Sequence, residues 1–197
     1  RTTNGRGLIK EMTLQELQKY HLKNVDGTIS EEKIPTLNEV LDLVKMYPEA
    51  IVNIELKMHR VYYPGLEEEV LKLVAAHKLT NQIIYSSFHL PTVVRLKNID
   101  PNTQVSLLIQ QPIPHLFDYV QLFQLDGINP SKKLYETERE LFHDCGKIRL
   151  WKVNEEKDIR ESLMWEIDSI ITDFPEKAVA IRDQKGKRKY RFPTMRS

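Results

Sequence analysis

The chain has 197 residues, 41% hydrophobic and 29% charged, with a formal net charge of +1 and one cysteine, Cys145. This balance excludes a collagen-like, disulfide-stapled or wholly disordered chain, and no apolar run approaches the roughly 20 residues that cross a bilayer. Near-neutral charge gives no general case for nucleic acid as a partner. A lone cysteine permits no internal disulfide, which fits a reducing compartment; a cytoplasmic location is the expectation. Because the first residue is Arg1 rather than Met, the chain is expected to be a processed, cloned or truncated product.

Thr13 with Glu16, and Thr36 with Glu39, each have the spacing of a helix capping box. After the second, Leu37, Val40, Leu41 and Val44 recur at helical period. Short Ile/Val-rich runs then predict strands at 50–57 (AIVNIELK), 82–88, 104–109, 125–130, 147–154 and 168–175. Between them, Pro64 opens a helix with Leu66, Val70, Leu73 and Val74 on one face. Further helices are expected at 89–97, 113–123, 134–143, 155–165 and 175–182, with Gly146 as a stop signal after His143. Residues 182–197 hold seven basic side chains against one acid, Asp183, a formal +6 that leaves the rest of the chain at −5. They read as a solvated basic tail or as a patch for phosphate-rich partners.

Six successive βα units imply right-handed crossovers and a parallel sheet. An open doubly wound sheet and a (β/α)8 barrel short of two units both satisfy the pattern, since a full barrel needs about 250 residues. No G-x-G-x-x-G follows a strand, so a dinucleotide site is unsupported.

In either architecture ligands bind at the C-terminal ends of strands. The first predicted strand ends in Glu55 and Lys57, on one side by alternation. They read as a buried ion pair, or as a carboxylate for a metal and an ammonium for an anion. The second ends in Ser86, Ser87, Phe88 and His89, where a serine either caps a helix or meets a ligand. The fourth ends in Asn129-Pro130, the fifth in Trp151, Lys152 and Asn154, and the sixth in Thr172 and Asp173. Trp151 with Asn154 lines a polyol pocket or packs in the core, and Asp173 caps the last helix. His59 and His89 lie at strand ends and read as loop or helix residues, and Cys145 has no base beside it.

In order, RTTNG at 1–5, MTLQELQ, Ile34-Pro35-Thr36-Leu37 with Glu39-Val40-Leu41, and Asn53-Ile54-Glu55-Leu56-Lys57 resemble the glycerophosphodiester phosphodiesterases. Ser86–Phe88, the W-x-V-N at 151–154 and TDFP at 172–175 continue the resemblance to about Ile181. It implies an α/β fold, a (β/α)8 TIM-type barrel lacking its first two βα units in this chain, with residues 1–182 as the partial barrel domain and 183–197 as the basic tail. It also implies a hydrolase of lipid and glycerol metabolism that converts glycerophosphodiesters to glycerol 3-phosphate and an alcohol with Ca2+ or Mg2+. Glu55 matches the family's metal-binding glutamate and Lys57 its phosphate lysine; Ser87, Phe88, Trp151 and Asn154 fall at substrate-binding positions. The H-R-G strand, E-x-D strand and H-D pair that begin the family pattern do not occur in the 197 residues. The catalytic histidines are therefore expected outside this chain, which alone is expected to be inactive. A non-catalytic glycerophosphodiester-binding or interaction module is the alternative, and exposed strand edges suggest a possible homo-oligomer.

Overall fold

The computed structural model describes residues 2–58, 61–165 and 167–184. The chain divides into two compact units, one of Arg1–Leu108 with Gln121–Asp126, the other of Ile109–Val120 with Gly127–Ser197. His59 and most of the basic tail lie outside the described residues.

The first unit opens with α1 (Leu14–Leu17), whose Thr13 and Glu16 form the expected reciprocal capping box. A hairpin follows, β1 (His21–Lys23) antiparallel to β2 (Ile29–Lys33). Sequence periodicity misses it, because nearly every residue of both strands touches water and no apolar face alternates. The signal present was the turn. The Asp26 carboxylate accepts from the Thr28 amide at 2.9 Å and Gly27 adopts φ 87°, the chemistry of a D-G hairpin turn. Helix α2 (Leu37–Val44) carries the second capping box and buries Leu41 and Val44. The backbone and side-chain hydrogens of Thr13 and Thr36 hold the Glu16 and Glu39 carboxyls below their ordinary range.

The βα alternation then proceeds as the pattern predicts. β3 (Val52–Glu55) leads to α3 (Leu66–Ala76), which starts after Gly65 at φ 77° rather than at Pro64. β4 (Ile83–Ser87) leads to α4 (Leu90–Ile99), and β5 (Val105–Ile109) follows. β3, β4 and β5 pair in parallel, with Glu55 beside Ser86 and Ser86 beside Ser106. Leu41, Val74, Ile83, Val93, Leu96 and Val105 fill this unit's core.

Helix α5 (Leu116–Leu122) and β5 run across the boundary between the units. In the second unit, β6 (Gly127–Pro130) is followed by α6 (Lys132–Thr137), and β7 (Lys147–Leu150) by α7 (Glu156–Ser162). β8 (Ser169–Ile170) and α8 (Pro175–Gln184) complete it. β6, β7 and β8 are parallel. The helix expected over 134–143 is α6 followed by a 3-10 turn at Arg139–Phe142. Asp144 and Gly146, both at positive φ, then reverse the chain. Cys145 is buried, and desolvation with nearby Asp144 raises its thiol pKa, so it is a packing residue.

An aspartate recurs at the N-terminal end of a strand in both units. The Asp126 carboxylate accepts from the Val105 amide at 2.8 Å and pairs with Lys97. Asp168 accepts from the Ile148 amide at 2.8 Å and pairs with Lys147. These clamps sit opposite the strand ends that bind ligands, where structure rather than chemistry is the usual role.

Candidate functional site

In the first unit the strand ladder continues one residue past β3, the Leu56 amide donating to the Ser86 carbonyl at 2.8 Å. Glu55 and Lys57 stand at this end, Lys57 Nζ 2.6 Å from Glu55 Oε1. Their side chains are 29% and 69% exposed. The pair is real but it is not the buried pair the sequence allowed, because it lies at the rim, where water solvates the ammonium. Below it, Asn53 donates to the Ser86 hydroxyl at 3.0 Å. Ser87 is buried, its hydroxyl donating to the Leu56 carbonyl at 2.6 Å and accepting from the His89 amide at 3.1 Å. Its polar capacity thus braces β3 and the start of α4. Phe88 is half-buried beside it, and the His89 ring bonds the Thr92 hydroxyl at 2.9 Å.

In the second unit Trp151 is held through both its backbone and its ring. Its amide donates to the Pro130 carbonyl at 3.1 Å, its carbonyl accepts from the Lys132 amide at 2.7 Å, and its indole donates to the Asn129 carbonyl at 2.7 Å. Lys132 is anchored in turn, its ammonium meeting Glu136, Asp158 at 2.9 Å and Glu161 at 3.1 Å. Burial alone would lower its pKa, but hydrogen bonds to these three carboxylates hold it above the ordinary lysine range.

Asn154 is committed to the loop after β8. Its Oδ1 accepts from the Asp173 amide at 2.9 Å and the Thr172 hydroxyl at 3.2 Å, and its Nδ2 donates to the Asp173 carboxylate at 2.8 Å. Lys152 pairs with the same carboxylate. The Asp173 carboxylate ties together the loops after β7 and β8. The amide that sequence reading passed over is Asn129: it is fully buried, and neither side-chain polar atom has a hydrogen-bond partner. A buried amide in that state costs about 1–3 kcal/mol.

Among the described residues no group of three or more His, Cys, Asp or Glu stands close enough to hold a metal ion. Glu55 offers one carboxylate, whereas Ca2+ or Mg2+ takes about six or more oxygens. The described residues alone therefore do not fit a cation site. No described helix is long and apolar enough to cross a membrane.

The model of the Glycerophosphoryl diester phosphodiesterase family matches residues 1–177. A glycerophosphodiester phosphodiesterase of Bacillus altitudinis is 32% identical over 192 residues, covering 93% of this chain and 77% of the relative. One from Caldanaerobacter subterraneus subsp. tengcongensis is 31% identical over 191 residues, covering 94% and 77%. Among solved structures, an Oleispira antarctica phosphodiesterase in complex with the product sn-glycerol-3-phosphate superposes with a TM-score of 0.75. The two are 23% identical, with 93% of this chain and 75% of that one covered. The α/β fold is of the TIM-barrel type found in such structural neighbours.

Proposed function

The chain belongs to the glycerophosphoryl diester phosphodiesterase family, and from that premise we propose that it serves metal-dependent hydrolysis of glycerophosphodiesters to glycerol 3-phosphate and an alcohol. The observation that carries this reading is the Glu55–Lys57 pair at the end of β3, with Lys57 69% exposed. A solvent-facing ammonium fixed by one carboxylate is suited to a phosphate oxygen, where it offsets charge that builds up during displacement. Glu55 would supply one oxygen ligand toward Ca2+ or Mg2+, the remaining ligands coming from outside the described residues, and such a cation would offset phosphate charge when bound. Phe88 in the first unit, and separately Trp151 in the second, each present apolar surface of the kind that packs against glyceryl carbons. Ser87 and Asn154 act by bracing the backbone around these positions.

Residues 1–182 carry the phosphodiesterase domain and 183–197 a basic sequence whose first two residues complete α8, in a cytoplasmic protein. The histidine-bearing segments that begin the family pattern do not occur in the 197 residues, so this chain alone binds ligand without turning it over. The test is glycerol 3-phosphate release from glycerophosphocholine, with Ca2+ or Mg2+ and with EDTA, alongside binding of glycerol 3-phosphate. Binding without release is expected. Divalent-dependent release would contradict the assignment of the catalytic groups, and absence of binding would contradict the site.

A further inference from the structure

Asn129 stands at the C-terminal end of β6, and the sheet register gives its direction. Gly127 pairs with Lys147 and Ile128 with Ile148, and beyond the strand Ser131 bridges Trp151. Paired neighbours in a sheet project to one side, and residues two apart share a face. The Asn129 side chain therefore lies on the face that carries Trp151. The two residues are joined there by the indole hydrogen bond to the Asn129 carbonyl at 2.7 Å.

We propose that Asn129 is a further substrate-contacting residue, its side-chain amide reading a hydroxyl of the glyceryl group. This rests on the substrate reading above. The amide carries an acceptor oxygen and two donor hydrogens, both atoms are unpartnered, and the residue is 0% exposed. A hydroxyl donates and accepts at once, so one group satisfies an amide from both sides without bringing charge into a buried position. Aromatic surface from Trp151 beside a neutral amide is the combination that holds a polyol, with C–H against the ring and O–H against the amide. Asn154, the asparagine that sequence reading favoured, spends its amide on Thr172 and Asp173. Asn129 is 0% exposed and Trp151 is partly exposed, so a ligand hydroxyl reaches the amide from the Trp151 side of β6.

The experiment compares binding of sn-glycerol 3-phosphate and of propyl phosphate, which lacks both hydroxyls, in the 197-residue chain with Mg2+. Wild type is expected to prefer glycerol 3-phosphate about tenfold or more, and Asn129→Leu to erase that preference while holding propyl phosphate unchanged. The Trp151 indole N–H resonance is expected to shift with glycerol 3-phosphate. Should Asn129→Leu not fold, Asn129→Ser is read by the same ratio, with a reduced preference expected. A preference that survives substitution, equal loss for both ligands, or no preference in wild type overturns the inference while leaving phosphate binding intact. Wild type that takes neither ligand overturns the substrate reading, and this inference with it.

Discussion

At the end of β3 Lys57 pairs with Glu55, and the lysine is 69% exposed. Just after β6, Lys132 is 10% exposed and meets three carboxylates while its amide holds Trp151. Both are lysines beside strand ends of the same βα alternation. The first keeps most of its hydration, so it has little to give stability and much to give an incoming anion. The second has lost most of its water and is committed to packing, and its amide holds the Trp151 carbonyl. A charge near a candidate site is thus read by its exposure, not by its residue type.

The largest expected effect that sharpens this contrast is Lys132→Met. It leaves three carboxylates facing one another and is predicted to cost about 2–3 kcal/mol, below the figure for a fully buried pair because these acids are about a third exposed. Urea unfolding measures it. The raised pKa sets the sign with pH. The Lys132 contribution is complete below the ordinary lysine value and is lost as pH rises through the shifted one. A midpoint unchanged by Lys132→Met would break the contrast.

Next is Asn154→Ala, which removes the ties to Thr172 and Asp173 and is predicted to cost about 1–2 kcal/mol. A loss confined to ligand affinity would return Asn154 to direct contact. Smaller and opposite in sign is Tyr85→Phe. The Tyr85 hydroxyl is buried without a partner, so its removal is predicted to raise stability by about 1 kcal/mol. Burial, with Asp100 second, pushes this phenol from 10.0 up to about 12. The unfolded phenol ionises first, so wild type loses stability between pH 10 and pH 12. The phenylalanine variant should show a shallower alkaline loss in the same unfolding series.

The sequence made the strands legible because each is a short Ile/Val-rich run closed by polar residues or proline. It made both capping boxes legible because Thr13 and Thr36 each meet a glutamate three residues on. Glu55 and Lys57 were legible as charges in an apolar strand. The hairpin of β1 and β2 was not, since its strands bury no alternating face. The division of roles between Asn129 and Asn154 was not either. Two asparagines at strand ends look alike until hydrogen bonds show one amide spent and the other open. The Lys132 cluster depends on α6 and α7 meeting, which no local pattern encodes.

Isothermal titration of Lys57→Ala with sn-glycerol 3-phosphate, with urea unfolding in parallel, bears most directly on the central claim. The account predicts affinity about tenfold weaker or more, with stability within about 0.5 kcal/mol of wild type. Unchanged affinity, or a fall in unfolding midpoint like that expected of Lys132→Met, would contradict it.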